Sequence, residues 1–305
     1  MIVLYFLLSV VLTVILGLIA SWIDRNVTAR VQWRVGPPFL QPFYDVIKLF
    51  GRETLVPETA KLTGFLLAPM LGLAGTMVAS FILWYVAITG ESGFGGDLVV
   101  VIYLLVIPSL ALIIGGAASG SPHSVTGASR EMKLMLGYEL ALLLAVTSVL
   151  VRQPQATFTL SDLHQAGGLS LAGGVSGVLA FIVALFCTQA KLGYVPFDLA
   201  EADTEIMSGP YVEYSGPPLA ILKLTKAMLL ATVPLFVITV FFGGVTFKGL
   251  GVLWFVLKYV LILVLVVLTK NTNPRVRVDQ AMNFFWKWMS PLAIVAIILS
   301  YLGRA

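Results

Sequence analysis

Long apolar runs alternate with short polar connections along the chain, and a run of about 20 apolar residues is long enough to cross a bilayer as a helix. Eight such runs stand out, at residues 2–23, 63–89, 98–118, 132–151, 174–195, 217–243, 250–269 and 289–303. The last is short, and the fifth is bounded by the glycine-rich AGGLSLAGG and by Pro196. The first run, MIVLYFLLSVVLTVILGLIASWI, lacks a leading basic segment and exceeds the apolar core of a signal peptide, so it is expected to stay as an uncleaved span. The predicted fold is all-α and polytopic: eight transmembrane helices in a single membrane domain over residues 1–305.

The first connection carries a pattern of its own. In residues 39–52, FLQPFYDVIKLFGR, the residues Phe39, Leu40, Phe43, Val46, Ile47, Leu49 and Phe50 fall largely on one side of a helix, with Asp45, Lys48 and Arg52 on the other. That is an amphipathic helix, suited to the membrane interface or to packing on a partner subunit, and the two are compatible.

Composition agrees with the pattern. The chain is 59% hydrophobic and 11% charged, against roughly 25% charged in soluble domains. Its mean hydropathy is +0.98. Too few polar side chains remain to cover a soluble globule. The net charge of +4 does not signal nucleic acid, because the basic residues form no dense run. They are distributed by side. Odd-numbered connections hold thirteen Lys and Arg, whereas even-numbered ones hold only Arg152 and Lys248. The positive-inside rule then puts the odd connections in the cytoplasm and both termini outside. Cys187 is the only cysteine, inside an apolar run, and His123 and His164 have no metal-ligand spacing. No metal site or redox centre is expected in this chain.

Several ionisable groups sit where charge is expensive, since insertion scales put a charged side chain at about 2.5–3.5 kcal/mol in a helix centre. Lys223 and Lys258 suit snorkelling toward an interface. Glu139, about two turns into the fourth run, has a side chain too short to snorkel far and suits a polar path through the bundle. Lys226, a turn deeper than Lys223, fits either account. The connection at 196–216 adds Asp198, Glu201, Asp203, Glu205 and Glu213. FDLAEADTEIMSG is expected to form a short helix ended by Gly209, placing Asp198, Glu201 and Glu205 on one face. Carboxylates that close raise one another's pKa and suit proton transfer; the alternative is a solvated acidic loop.

Four stretches resemble subunit 1 of respiratory complex I: RVQWRVGPPFLQPFYDVIKLFGRE, SREMKLMLGYE, VPFDLAEADTEIMSGPYVEYSG and NPRVRVDQAMNFFWKWMSPLA. The resemblance runs from about residue 1 to 303. It implies an eight-helix subunit at the foot of a peripheral redox arm, with a funnel of glutamates leading to proton paths. Glu139 matches the family's helix glutamate after tyrosine. Asp198, Glu201, Glu205 and Glu213 match its acidic loop. Arg34, Gln41, Asp45 and Lys48 match the first-loop motif, and Arg277, Asp279 and Gln280 the last cytoplasmic loop.

Three departures point to one branch. The first loop is compressed to GPPFLQP where complex I typically has GPNRVGPxGLLQP. Lys226-Ala227 stands where complex I commonly has Glu-Tyr, and Ala-Asp-Thr where it often has Gly-Glu-x. The chain is in these respects similar to the anchor subunits of group 4 membrane-bound [NiFe]-hydrogenases and their ferredoxin-linked relatives, which work without quinone.

The implied role is a membrane anchor that couples electron transfer in a cytoplasmic arm to ion pumping, as a non-redox subunit of an oxidoreductase complex. The path would comprise Glu139, Asp198, Glu201, Asp203, Glu205 and Glu213, with Lys226 as counter-charge. Arg34, Gln41, Asp45, Lys48, Arg275, Arg277 and Asp279 would meet the peripheral arm. The implied partners are hydrogenase-like large and small subunits, antiporter-like membrane subunits and the lipid of a prokaryotic cell membrane. Fe–S clusters and a NiFe centre would lie in other subunits. The alternatives are a quinone-binding subunit of complex I, the same role in a sulfur-reducing relative, or an anchor with no ion path. A secondary transporter is disfavoured by the lack of an internal repeat or paired broken helices.

Overall fold

In the computed structural model, residues 2–93, 95–153, 158–165, 174–245, 247 and 249–303 are described, except for the side chains of Gln165, Asp203 and Thr204. Lys248, Arg304, the Asp203 side chain and most of AGGLSLAGG therefore lie outside the described residues. Among those described there is no strand. The helices are α1 Ile2–Val31, α2 Gln41–Phe50, α3 Leu62–Thr89, α4 Asp97–Leu104, α5 Ile107–Ala118, α6 Pro122–Arg152, α7 Leu160–Gln165, α8 Val175–Lys191, α9 Asp203–Ile206, α10 Gly216–Phe241, α11 Gly251–Thr272, α12 Val278–Phe284 and α13 Ser290–Leu302. Among the described residues, seven helical segments are long and apolar enough to span a membrane, counting α4–α5 and α12–α13 as one each. The 17 residues of α8 are apolar and at the short end of the spanning range.

Several boundaries differ from the apolar runs, for a common reason. A helix satisfies its own backbone whether or not its last turns are apolar, so polar turns extend it past the hydrocarbon. Thus α1 continues through Asp24 to Val31, and α6 begins at Pro122 rather than 132, with proline in its favoured first turn. The last span starts at Val278 rather than 289, placing Asp279, Gln280 and Lys287 in helix, and passes through a π-helical turn at Phe285–Met289. The third span is interrupted between α4 and α5 beside Pro108, which has no N–H to continue the ladder.

At the centre stands α10, where every residue from Ala227 to Phe241 is buried. A helix apolar all round belongs inside a bundle. It packs chiefly on α1 and α3, while α6 packs on α5, α8 and α13. Helices in lipid lack a hydrophobic drive toward each other and rely on close packing through small residues. The buried stripe of α1 is accordingly Ser9, Thr13, Gly17, Ala20 and Asp24. Trp84 Nε1 donates to Thr13 Oγ1 at 3.0 Å. The opposite pattern appears on α11, where Leu253, Trp254, Leu257 and Leu261 point outward. Lys258 on that helix turns back to donate to the Phe242 carbonyl at 2.8 Å.

A Cβ on Gly17 would stand 2.3 Å from the Ala227 carbonyl oxygen, so α1 and α10 touch backbone to backbone. Gly17→Val is expected to lower the melting temperature of the purified complex in detergent, since overpacking typically costs about 1–3 kcal/mol. Ile15→Val, at an outward-facing position, should leave it unchanged.

Candidate functional site

The acidic segment starts where α8 ends at Lys191. Gly193 in the left-handed region (φ 61°) and a cis Val195–Pro196 peptide turn the chain across the end of the bundle. Only Asp203–Ile206 is α-helical here, so the longer helix expected from FDLAEADTEIMSG does not form. Its acids share no face. Asp198 takes Arg275 at 2.6 Å, Glu201 takes Lys226 with both oxygens at 2.6 Å, and Glu205 takes Arg130 at 2.5 Å. Three cations from three other elements pull the acids apart, and these tertiary ion pairs override local helix preference. The expected set of mutually coupled carboxylates is thus replaced by separately paired ones. Glu213 is half-buried, and the side chain of Asp203 lies outside the described residues.

Deeper in, Glu139 on α6 is ion-paired with Lys191. Lys191 is buried and also donates to the Leu105 carbonyl at the α4–α5 interruption, at 3.3 Å. Its ammonium lies 5.2 Å from the centre of the Tyr138 ring. Two turns earlier on α6, Glu131 is buried among α5, α6 and the acidic segment, near Ser109. Ser109 Oγ and Tyr138 Oη are 3.2 Å apart. A small cavity of about 40 Å³ lies beside them; its walls are mostly apolar, with Ser109, Glu131, Lys191, Glu201, Tyr211 and Lys226 as polar members. That volume holds roughly three waters.

A second, larger cavity of about 410 Å³ opens between α1, α2 and α10. Its charged walls are Asp24, Arg25, Asp45, Lys223 and Lys270 together with Glu201 and Lys226. Asp24 is buried and holds Lys270 at 2.7 and 3.0 Å; Arg25 holds Asp45 at 2.7 Å. The Lys270 ammonium sits 4.6 Å over the Tyr194 ring. Burial, reinforced by Asp24 and Glu201, pushes the Tyr194 hydroxyl well above its ordinary pKa, and burial with Glu201 and Glu131 does the same to Tyr211. Both remain hydroxyl donors at neutral pH. Burial opposes ionisation of Asp45, but hydrogen bonds from Arg25 and Gln41 outweigh it and hold the carboxyl below its usual value. Glu201, Tyr211 and Lys226 line both cavities, so the Glu201–Lys226 pair is the partition between them.

The residues expected to face a peripheral arm divide into two groups. Arg34, Lys48, Arg277 and Asp279 are exposed. Gln41 donates to Asp45 at 2.9 Å, Asp45 is held by Arg25 of α1, and Arg275 is held by Asp198. Glu205, Arg275, Arg277 and Asp279 meet around a cleft of about 290 Å³.

Asp24, Glu131, Lys191 and Lys270 were not singled out by the sequence. Asp24 continues the small-residue stripe of α1 by three- and four-residue steps, and Glu131 lies on the line Ser124, Ala128, Glu131, Tyr138 of buried α6 positions. Lys191 follows buried Cys187 by four.

The family model described as NADH dehydrogenase matches residues 2–301. The H-type subunit of the NADH-quinone oxidoreductase of Thermomicrobium roseum is 35% identical, covering 100% of this chain and 96% of that protein. The corresponding NADH-quinone oxidoreductase subunit of Brevibacillus brevis is 31% identical, covering 97% of this chain and 92% of its own. Among solved structures, the membrane-bound sulfane sulfur reductase, an archaeal respiratory membrane complex, contains a chain that superposes with a TM-score of 0.86 at 29% identity, over 98% of this chain and 99% of that one.

The Asp24–Lys270 pair can be tested by a double-mutant cycle. Lys270→Met alone strands a buried carboxylate and is expected to cost about 3–5 kcal/mol in stability. Asp24→Leu combined with Lys270→Met should recover most of that in detergent unfolding. Equal losses in the single and double variants would show that the pair does not carry the α1–α11 contact.

Proposed function

The chain belongs to the NADH dehydrogenase family, the superfamily of complex I subunit 1, and from that membership we propose that it couples ion movement to electron transfer in a respiratory membrane complex. The observation that carries the reading is the succession of acid–lysine pairs from the end of the bundle inward: Glu201–Lys226 at the partition, then Glu139–Lys191 inside. Ionisable groups buried in a membrane protein are expensive and mark ion or proton paths. With Glu201 and Glu205 at the mouth and Glu139 beyond, Lys226 serves as the counter-charge whose release or capture sets the charge of Glu201. Arg34, Lys48, Arg277 and Asp279 offer exposed charge for a peripheral arm.

In this reading the chain is a non-redox subunit of a hydrogenase-like, ferredoxin-linked complex in a prokaryotic inner membrane, with both termini outside. Fe–S clusters and a NiFe centre would belong to partner subunits, alongside antiporter-like membrane subunits. The sulfane sulfur reductase likeness and the compressed GPPFLQP loop favour this quinone-free branch, including its sulfur-reducing members. The second reading is a quinone-binding subunit; the 410 Å³ cavity and the names of the curated relatives favour it.

Glu139→Gln in the whole complex is expected to cut ion translocation at least about a hundredfold, the lower end for losing a proton-transfer group. Electron transfer to an artificial acceptor should persist. Unchanged pumping would sink the path for that residue. The branch is decided by the co-purifying large subunit: four nickel-binding cysteines are expected for a hydrogenase, loss of one pair for the sulfur-reducing relative. Quinone-dependent activity that variants at residues 36–41 abolish would establish the second reading instead.

A further inference from the structure

Asp198, Glu201, Glu205 and Glu139 each have a cation within ion-pair distance. Glu131, 6% exposed, has no salt bridge among the described residues. It stands on the wall of the 40 Å³ cavity, which Lys226, Glu201 and Lys191 also line. The ionisable and hydroxyl groups sharing its cavity are Glu201 from the acidic segment, Lys226 from α10, Lys191 from α8, Ser109 from α5 and Tyr211 from the short helix Gly209–Tyr211, and Tyr138 of its own helix lies within hydrogen-bond distance of Ser109. A carboxyl so placed has two satisfied states that differ by one proton. It is either a neutral acid hydrogen-bonded to Ser109 and water, or an anion that takes one of the two lysines.

Resting on the coupling role above, we propose that Glu131 is the proton carrier joining the two ion pairs, exchanging its proton with Glu139 as Lys191 changes partner. Eight residues of α6 separate the two glutamates, about 12 Å along the helix axis, too far for direct transfer. Lys191 bridges that gap. It lines the cavity and its ammonium holds Glu139, which does not, while Tyr138, seven residues after Glu131 on α6, lies within hydrogen-bond distance of the cavity residue Ser109 on α5. In the forward step the proton on the Glu131 carboxyl passes to cavity water, leaves the cavity by way of the Ser109–Tyr138 hydroxyl pair and is taken up by the Glu139 carboxylate. Glu139 becomes a neutral acid and releases Lys191. Lys191, still an ammonium, pairs with the new Glu131 anion. One proton moves, and no electron does. Reprotonation of Glu131 by way of Glu201 sends Lys191 back.

The test uses the intact complex in proteoliposomes, carrying Glu131→Gln or Glu139→Gln. It measures ions moved per electron, electron transfer to an artificial acceptor, and the turnover-induced infrared difference spectrum. Glu131→Gln should lower translocation at least about a hundredfold, keep electron transfer, and abolish a carboxylic-acid C=O band of the unsubstituted complex. Glu131→Asp, which keeps a carboxyl, should shift that band instead. Normal translocation in Glu131→Gln with loss in Glu139→Gln would overturn Glu131 as carrier while leaving the path standing. Normal translocation in both would remove the path as well. Lost translocation with the band unchanged would make Glu131 a packing residue and overturn the proposal equally.

Discussion

An ionised side chain inside hydrocarbon must be paired, because a solitary one costs about 2.5–3.5 kcal/mol even on permissive scales and a desolvated one more. That requirement organises this bundle. Lys191–Glu139 joins α8 to α6, Lys270–Asp24 joins α11 to α1, and Lys226–Glu201 and Arg275–Asp198 pin the acidic segment to α10 and to the connection after α11. Apolar surfaces facing lipid give helices little reason to choose one register over another, whereas an ammonium with a single carboxylate in reach does. Small-residue contacts such as Gly17 on Ala227 then let the helices approach.

The same pairs explain the irregular pieces. The acidic segment is nearly devoid of regular helix because Asp198, Glu201 and Glu205 are claimed by cations in three directions. The interruption of the third span is tolerable because Lys191 takes the Leu105 carbonyl, consistent with the rule that non-helical backbone at membrane depth survives only inside protein. Asp24, Asp45, Asp198, Glu201 and Glu205, with the cations that hold them, gather the odd-numbered connections at one end of the bundle. On the opposite side Asp97 Oδ1 accepts the Leu160 N–H at 2.7 Å and Lys258 closes on Phe242.

The spans were legible because twenty apolar residues have few other uses, and Glu139 and Lys226 were legible because charge stands out against them. What escaped was whatever depends on neighbours distant in sequence. Lys191 passed unnoticed at the end of the fifth apolar run since its partner is 52 residues away, and Asp24 looked like the start of a loop although it lies on the buried stripe of α1. Glu131 fell outside the apolar run that located its helix, and only the extension of α6 back to Pro122 reveals its buried face. The acidic segment misled for the opposite reason: its spacing favours a helix locally, and tertiary cations decide otherwise.

The partition has an electrostatic consequence of its own. Lys226 faces Glu201, and the pair borders both the 410 Å³ cavity and the 40 Å³ cavity. A unit charge arriving about 4 Å from that ammonium is worth about 4 kcal/mol at an effective dielectric of 20. At about 1.36 kcal/mol per tenfold, that is roughly a thousandfold shift in whether Lys226 stays with Glu201. An anion formed in the large cavity, or a negatively charged side chain pushed into it by a partner, can therefore free Glu201 without entering the inner chamber. Bulk water would reduce the same interaction to about 1 kcal/mol, too little to switch a population. The burial that makes these charges expensive is what lets one of them report on another.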